Sequence, residues 1–186
     1  MQAAGTLYSI CTLALLFYSN YGFSQDGSID RQVSKSALPI PKEQHQLFYL
    51  QRDPDSNTVI YALNIENGQL NTNKPVKAYW IRYAENQERK SLSLLQERMA
   101  YGVQVKPSEE GYTLHIRAYN ALTIYLVKVE GTHSLIAEVK VNSERIKLDH
   151  LFVRIKGGSF FHPNIDYIEI VGKTQEGATV THQLKF

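Results

Sequence analysis

From Gln46 onward, hydrophobic residues recur at every second position, the period of a strand with one face in a core. The pattern predicts strands over Gln46–Arg52, Thr58–Ile65, Val76–Ala84, Val103–Lys106, Tyr112–Ala118, Leu122–Glu130, Leu135–Val141, Arg145–Lys156, Ile165–Gly172 and Thr179–Phe186. These segments are rich in Val, Ile, Tyr, Phe and Thr, which suit a pleated, half-buried surface. Pairs such as Asn67-Gly68, Glu110-Gly111, Asn142-Ser143 and Gly157-Gly158 separate them and carry the residue types that tolerate turn conformations. About nine or ten strands at this spacing predict an all-β fold, mainly an antiparallel barrel or sandwich.

Two strands depart from simple alternation. Leu122–Glu130 carries apolar residues on both faces (Leu122, Ile124, Leu126 against Tyr125, Val127, Val129) and is expected to be central. Along Arg145–Lys156 the apolar side changes near His150, which a bulge or a crossing between sheets produces. A single short α-helix is expected near residues 93–101. Ser93 and Gln96 have capping-box spacing, Leu92, Leu95 and Met99 repeat at helical intervals, and Gly102 supplies a stop. Glu97 and Arg98 are expected to face outward or toward a groove.

The first 24 residues carry no charged side chain, and an apolar run extends from Leu7 to Tyr18. Gly22 and Ser24 precede Gln25 at the small-residue positions of a cleavage site, so residues 1–24 read as a signal peptide and predict export. The run is well short of the roughly 20 residues that span a bilayer. Cys11, the one cysteine, lies inside it, leaving no disulfide, thiolate nucleophile or Cys metal ligand after cleavage. Residues 25–44, polar and broken by Pro39 and Pro41, read as a flexible leader, and 45–186 as a single β domain. A length of 186 residues with 43% hydrophobic and 20% charged residues fits that organisation. The formal net charge of +2 is too small to imply a nucleic-acid partner.

The stretch from Phe48 to Gly102 holds the most distinctive motifs: Arg52, Asn57-Thr58-Val59, Tyr61, Pro75-Val76, Tyr79-Trp80-Ile81-Arg82-Tyr83, and Gln96 with Ala100-Tyr101-Gly102. In these residues the chain resembles an exported family of the Bacteroidota, domain of unknown function 4833. The resemblance covers most of the chain after the leader. It implies a Gram-negative envelope setting, hence the periplasm, and implies no activity.

Three stretches carry candidate chemistry. Trp80 and Arg82 share one face of their strand; with Tyr61, Tyr101 and Arg52 they offer flat rings and fixed donor forks suited to a sugar ring or an anionic head group. The bland alternative is a core Trp with an Arg closing the end of the barrel on a carboxylate. Asp53, Asp55 and Asn57 alternate as calcium ligands do, but Thr58 and Asn64 stand where an EF-hand has Gly and Glu. A turn built on Asx side chains and Pro54 is expected instead. In the 157–166 loop, Ser159, His162 and Asp166 are candidates for a nucleophile, a base and its orienter, without a nucleophile-elbow pattern around Ser159. The plainer reading has Phe160 and Phe161 plugging the core. No two histidines lie two to four positions apart, and no metal or cofactor is expected.

The reading that follows is a periplasmic, non-catalytic protein binding a small amphiphile or envelope glycan near Trp80, Arg82, Tyr61, Tyr101 and Arg52. An envelope interaction or scaffold module without a pocket, and a hydrolase using the 157–166 loop, are the alternatives. No nucleic-acid partner and no transmembrane segment after cleavage are expected; an envelope protein partner remains open.

Overall fold

The computed structural model describes residues 38–53, 55–132, 134–159 and 162–185. The expected signal peptide, residues 25–37 of the leader, and Phe160 and Phe161 lie outside the described residues. The chain is mostly β with one short helix, and its main sheet curls into a half-barrel.

The strands are β1 (Gln46–Arg52), β2 (Thr58–Leu63), β3 (Ile65–Glu66), β4 (Gln69–Leu70), β5 (Val76–Arg82) and β6 (Glu88–Ser91). The helix α1 (Leu94–Met99) follows, then β7 (Val103–Ser108), β8 (Gly111–Ile116), β9 (Tyr119–Lys128), β10 (Leu135–Val141), β11 (Glu144–Ser159), β12 (His162–Lys173) and β13 (Thr179–Lys185). β3 and β4 form a separate two-stranded ribbon. Its turn places Asn67 and Gly68 at φ 51° and 78°, the left-handed pair that matches the twist of a tight hairpin.

The long strand β11 organises everything else. β12 follows one of its edges from Lys147 to Ser159. On the other edge, β10 pairs with residues 144–147 and β1 with residues 150–153. Two arms therefore fork from that edge: β1-β2-β5-β6, and β10-β9-β8-β7. The sequence predicts antiparallel pairing, and β1–β11 is the parallel exception.

At the fork, Leu148 pairs with Gly172 and His150 with Val171, leaving Asp149 as an extra residue. One added residue inverts the phase of a strand. Ile146 and Leu148 face the core before it, and Leu151 and Val153 after it. This is the change of side expected near His150.

The arms close over one core. Phe48, Tyr61 and Trp80 come from the first arm, Leu114, Ile124, Leu126 and Val139 from the second, and Ile168 and Ile170 from β12. Each such residue stabilises the fold by roughly 1.5–3 kcal/mol through burial. A smaller cluster of Tyr49, Ile60, Ala62 and Ile81 occupies the opposite face of the first arm, with Tyr79 and Tyr83 packed against it. Residues 38–44, expected as the end of the leader, meet this face. Pro41 is buried, Gln51 Nε2 donates to the Pro39 carbonyl at 2.6 Å, and the Tyr79 hydroxyl donates to Glu43 at 2.9 Å.

Helix α1 has the expected capping box: the Ser93 side chain accepts from the Gln96 N–H, and the Gln96 side chain accepts from the Ser93 N–H. Its apolar positions lie on the solvent side. None of its residues is buried, and Leu94, Leu95 and Met99 are 73%, 55% and 37% exposed. The cap turns Gln96 inward, so the apolar side of this six-residue helix faces out. Ala100 and Tyr101, just beyond it, are the residues that enter the core.

β6 is a strand the periodicity does not signal. Glu88-Arg89-Lys90-Ser91 is exposed throughout and is set by a hairpin whose turn residues, Asn86 and Gln87, have φ 58° and 60°. Its charges and Pro107 in β7 suit the two ends of the main strand path, because charged side chains and proline discourage further pairing.

Candidate functional site

Four of the five residues expected to bind a ligand belong to one region of the interior. Tyr61 stacks on Phe48 at a centroid distance of 4.5 Å, and the Trp80 ring meets Tyr101 edge-on at 4.8 Å. Trp80 Nε1 donates to Gln96 Oε1 at 3.4 Å. Arg52 is buried and pairs with Asp55 at 2.7 Å. Tyr61 and Tyr101 are both 0% exposed. Burial raises both hydroxyls above the ordinary tyrosine range; at Tyr101 the charge of Arg52 acts in the opposite direction. The fifth residue, Arg82, is largely covered and pairs with Glu85 in the turn that follows β5. Strand alternation gathers these rings, and the packing that gathers them also encloses them.

The remaining tyrosines of this arm lie on its other face. Tyr49 stacks on His150 at 4.8 Å, and burial followed by the charge of Asp149 raises its ionisation. Tyr79 is raised by burial and by its hydrogen bond to Glu43.

The loop after β1 is a turn with its carboxylates engaged. Asp55 Oδ1 accepts from the Asn57 N–H at 2.7 Å, an Asx turn. Asp55 Oδ2 faces Arg52. Asp53, buried, pairs with Arg154 of β11 across 101 residues of sequence. Arg52 and Arg154 thus each engage one carboxylate oxygen, Asp55 Oδ2 and Asp53 Oδ2.

In the β11–β12 hairpin, positions 159 and 162 are register partners. Position 166 lies four residues along β12, about 13 Å at the rise of an extended strand. The Asp166 carboxylate accepts from Lys156 Nζ at 2.9 Å.

A different feature opens to solvent: a groove of about 990 Å³ bordered by β5, β6, β7, Glu97 of α1, Arg117 and the loop before β5. It lies between the far ends of the two arms, where β6 and β7 end the strand path. Ala78, Leu92, Val103 and Val105, packed on the core, give it an apolar component. Its charged residues are six cations, Lys74, Lys77, Arg89, Lys90, Lys106 and Arg117, against the single carboxylate of Glu97. Lys74 pairs with Glu97 at 2.8 Å and Arg89 with Glu43 at 2.6 Å. Lys77, Lys90, Lys106 and Arg117 make no ion pair among the described residues. Cations stand on both walls, so closing the gap would press like charges together.

None of the five residues expected to bind borders this groove. Its cations are spread over more than 40 positions of sequence, so no local cluster marks them. The topology alone brings them together.

A family model described as a domain of unknown function (DUF4833) matches residues 48–183. No curated protein and no solved structure matches the chain.

Proposed function

The chain belongs to that family, a domain of unknown function, over residues 48–183, and on this premise we propose that it is a periplasmic, non-catalytic binding protein for a small anionic amphiphile. The ligand lies in the groove between the arms, with its acidic group among Lys77, Lys106 and Arg117 and its apolar part along Val103, Val105 and Ala78. The observation that carries this reading is the charge imbalance of the groove, six cations to one carboxylate, beside an apolar lining. Binding sites typically pair apolar surface with a few placed polar groups. The exported setting rests on the uncharged, apolar segment at residues 1–24. Trp80, Tyr61 and Tyr101 serve this reading as the rigid core behind β5.

Calorimetric titration with a soluble alkyl phosphate, and with the alkyl alcohol of equal chain length, tests the proposal. The phosphate is expected to bind saturably and at least tenfold more tightly than the alcohol. Replacing Lys77 and Arg117 by Glu is expected to weaken phosphate binding about tenfold or more, since each cation near an anionic group contributes about 1 kcal/mol. Equal affinity for phosphate and alcohol, or an unchanged double variant, overturns it.

A further inference from the structure

Helix α1 is amphipathic in the reverse sense to a core helix. Gln96 bonds to Trp80 and Glu97 to Lys74, both on the protein side. Positions 94 and 98, and 95 and 99, are i,i+4 neighbours. The face turned away from the protein therefore carries Leu94, Leu95, Met99 and Arg98. Two adjacent leucines at 73% and 55% exposure on a helix whose geometry is fixed by a capping box are not a frayed end. Glu97 of this helix and Leu92, two residues before it, border the cationic groove, so the apolar knob stands beside the rim of the groove.

We infer that this surface docks on an anionic lipid bilayer, with Leu94, Leu95 and Met99 entering the headgroup boundary and the groove cations facing acidic headgroups. Interfacial helices work in this way: apolar side chains immerse to a shallow depth, and flanking Lys and Arg meet anionic lipid. Arg98, between the leucines and Met99, keeps its charge at the headgroup level while its stem follows them. Charge complementarity selects the bilayer over a second copy of the chain, because two copies facing each other through this surface would oppose the cations of one groove to those of the other. The inference deepens the proposed function, and rests on it, by giving the amphiphile a source: a ligand drawn from the bilayer enters a groove already held against it.

The test is co-sedimentation of the purified chain with vesicles of phosphatidylcholine alone and of phosphatidylcholine with phosphatidylglycerol, beside the calorimetric titration above. The wild type is expected to pellet with the anionic vesicles and to stay in solution with the neutral ones. L94S/L95S is expected to lower the bound fraction at least tenfold while leaving alkyl phosphate affinity and thermal midpoint unchanged, both positions being exposed. K77E/R117E is expected to lower both vesicle and alkyl phosphate binding. Alkyl phosphate binding without vesicle binding overturns the docking inference and leaves the groove reading standing. Vesicle binding that ignores L94S/L95S, or that is equal on neutral lipid, overturns it as well. So does a wild-type dimer in sedimentation velocity that L94S/L95S dissolves and that does not pellet with anionic vesicles.

Discussion

One amide oxygen, Gln96 Oε1, accepts from both the Ser93 N–H at 2.9 Å and the Trp80 indole N–H at 3.4 Å. It joins the cap of the one described helix to the one tryptophan of the chain. Replacing Gln96 by Ala is expected to remove half of the capping box and leave the indole N–H without its acceptor. The loss is expected to be about 1–2 kcal/mol in denaturant unfolding, with a red shift of the Trp80 emission as water reaches the ring. Gln96→Glu keeps an acceptor for both donors and is expected to lose less than half as much.

Gly102 sits where the chain turns from α1 into β7, and a Cβ at this position would overlap the Glu97 carbonyl. The obstacle is backbone, so it cannot rotate away. Gly102→Ala is expected to cost about 2 kcal/mol or more, the scale of overpacking in a tight site, read as a lowered thermal midpoint. Gly131→Ala is the control: its added Cβ meets nothing within 4 Å, and it carries only the smaller penalty of a left-handed backbone at φ 72°.

The buried tyrosines set an alkaline limit on stability. Burial raises Tyr61 and Tyr101 above the ordinary value of 10.0. A group whose ionisation is raised on folding contributes fully below its unfolded value and loses that contribution as pH rises through the folded one. The unfolding free energy is therefore expected to be flat with respect to these groups up to about pH 9, and to fall above pH 10 by about 1.4 kcal/mol per pH unit for each such tyrosine. Denaturant midpoints between pH 8 and about 11.5 measure it. Tyr61→Phe is expected to reduce the slope; an unchanged slope means that Tyr61 is not held protonated by the fold.

The Asp53–Arg154 pair connects β11 to the loop after β1. Arg154→Met leaves a buried carboxylate without its cation and is expected to cost about 3 kcal/mol. Asp53→Asn with Arg154→Met is expected to recover a substantial part of that loss, because no buried charge is then stranded. A double-mutant cycle with a coupling energy near zero would mean that the pair contributes nothing specific.

The extent to which the sequence foretells this structure varies by element. The alternation in β1, β2 and β5 assigns faces, so Tyr61 and Trp80 are legible on one side and Tyr49 and Tyr79 on the other. The change of side at Asp149 is legible for the same reason, since one extra residue inverts the pattern. Pairing partners are not legible: the pattern of β1 states which face is buried and is silent on β11, 101 residues away across the Asp53–Arg154 pair. β6 has no apolar residue to signal it. The outward turn of Leu94 and Leu95 is concealed because helical spacing fixes a face without saying where it points. At the site, the grouping of Arg52, Tyr61, Trp80 and Tyr101 follows from alternation, whereas their enclosure depends on both arms meeting. The groove cations share no local motif at all.

The fork at β11 also governs when this protein can become itself. As the chain is made from its N-terminus, β1, β2, β5 and β6 emerge with the outer edge of β1 bare, and the strand that covers it arrives about 100 residues later. Contacts of such separation bear a large loop-closure cost and form late. Until then an apolar strand edge is open to other chains, the state in which aggregation competes with folding. The half-built arm thus keeps that edge bare until β11 is made and pairs with it.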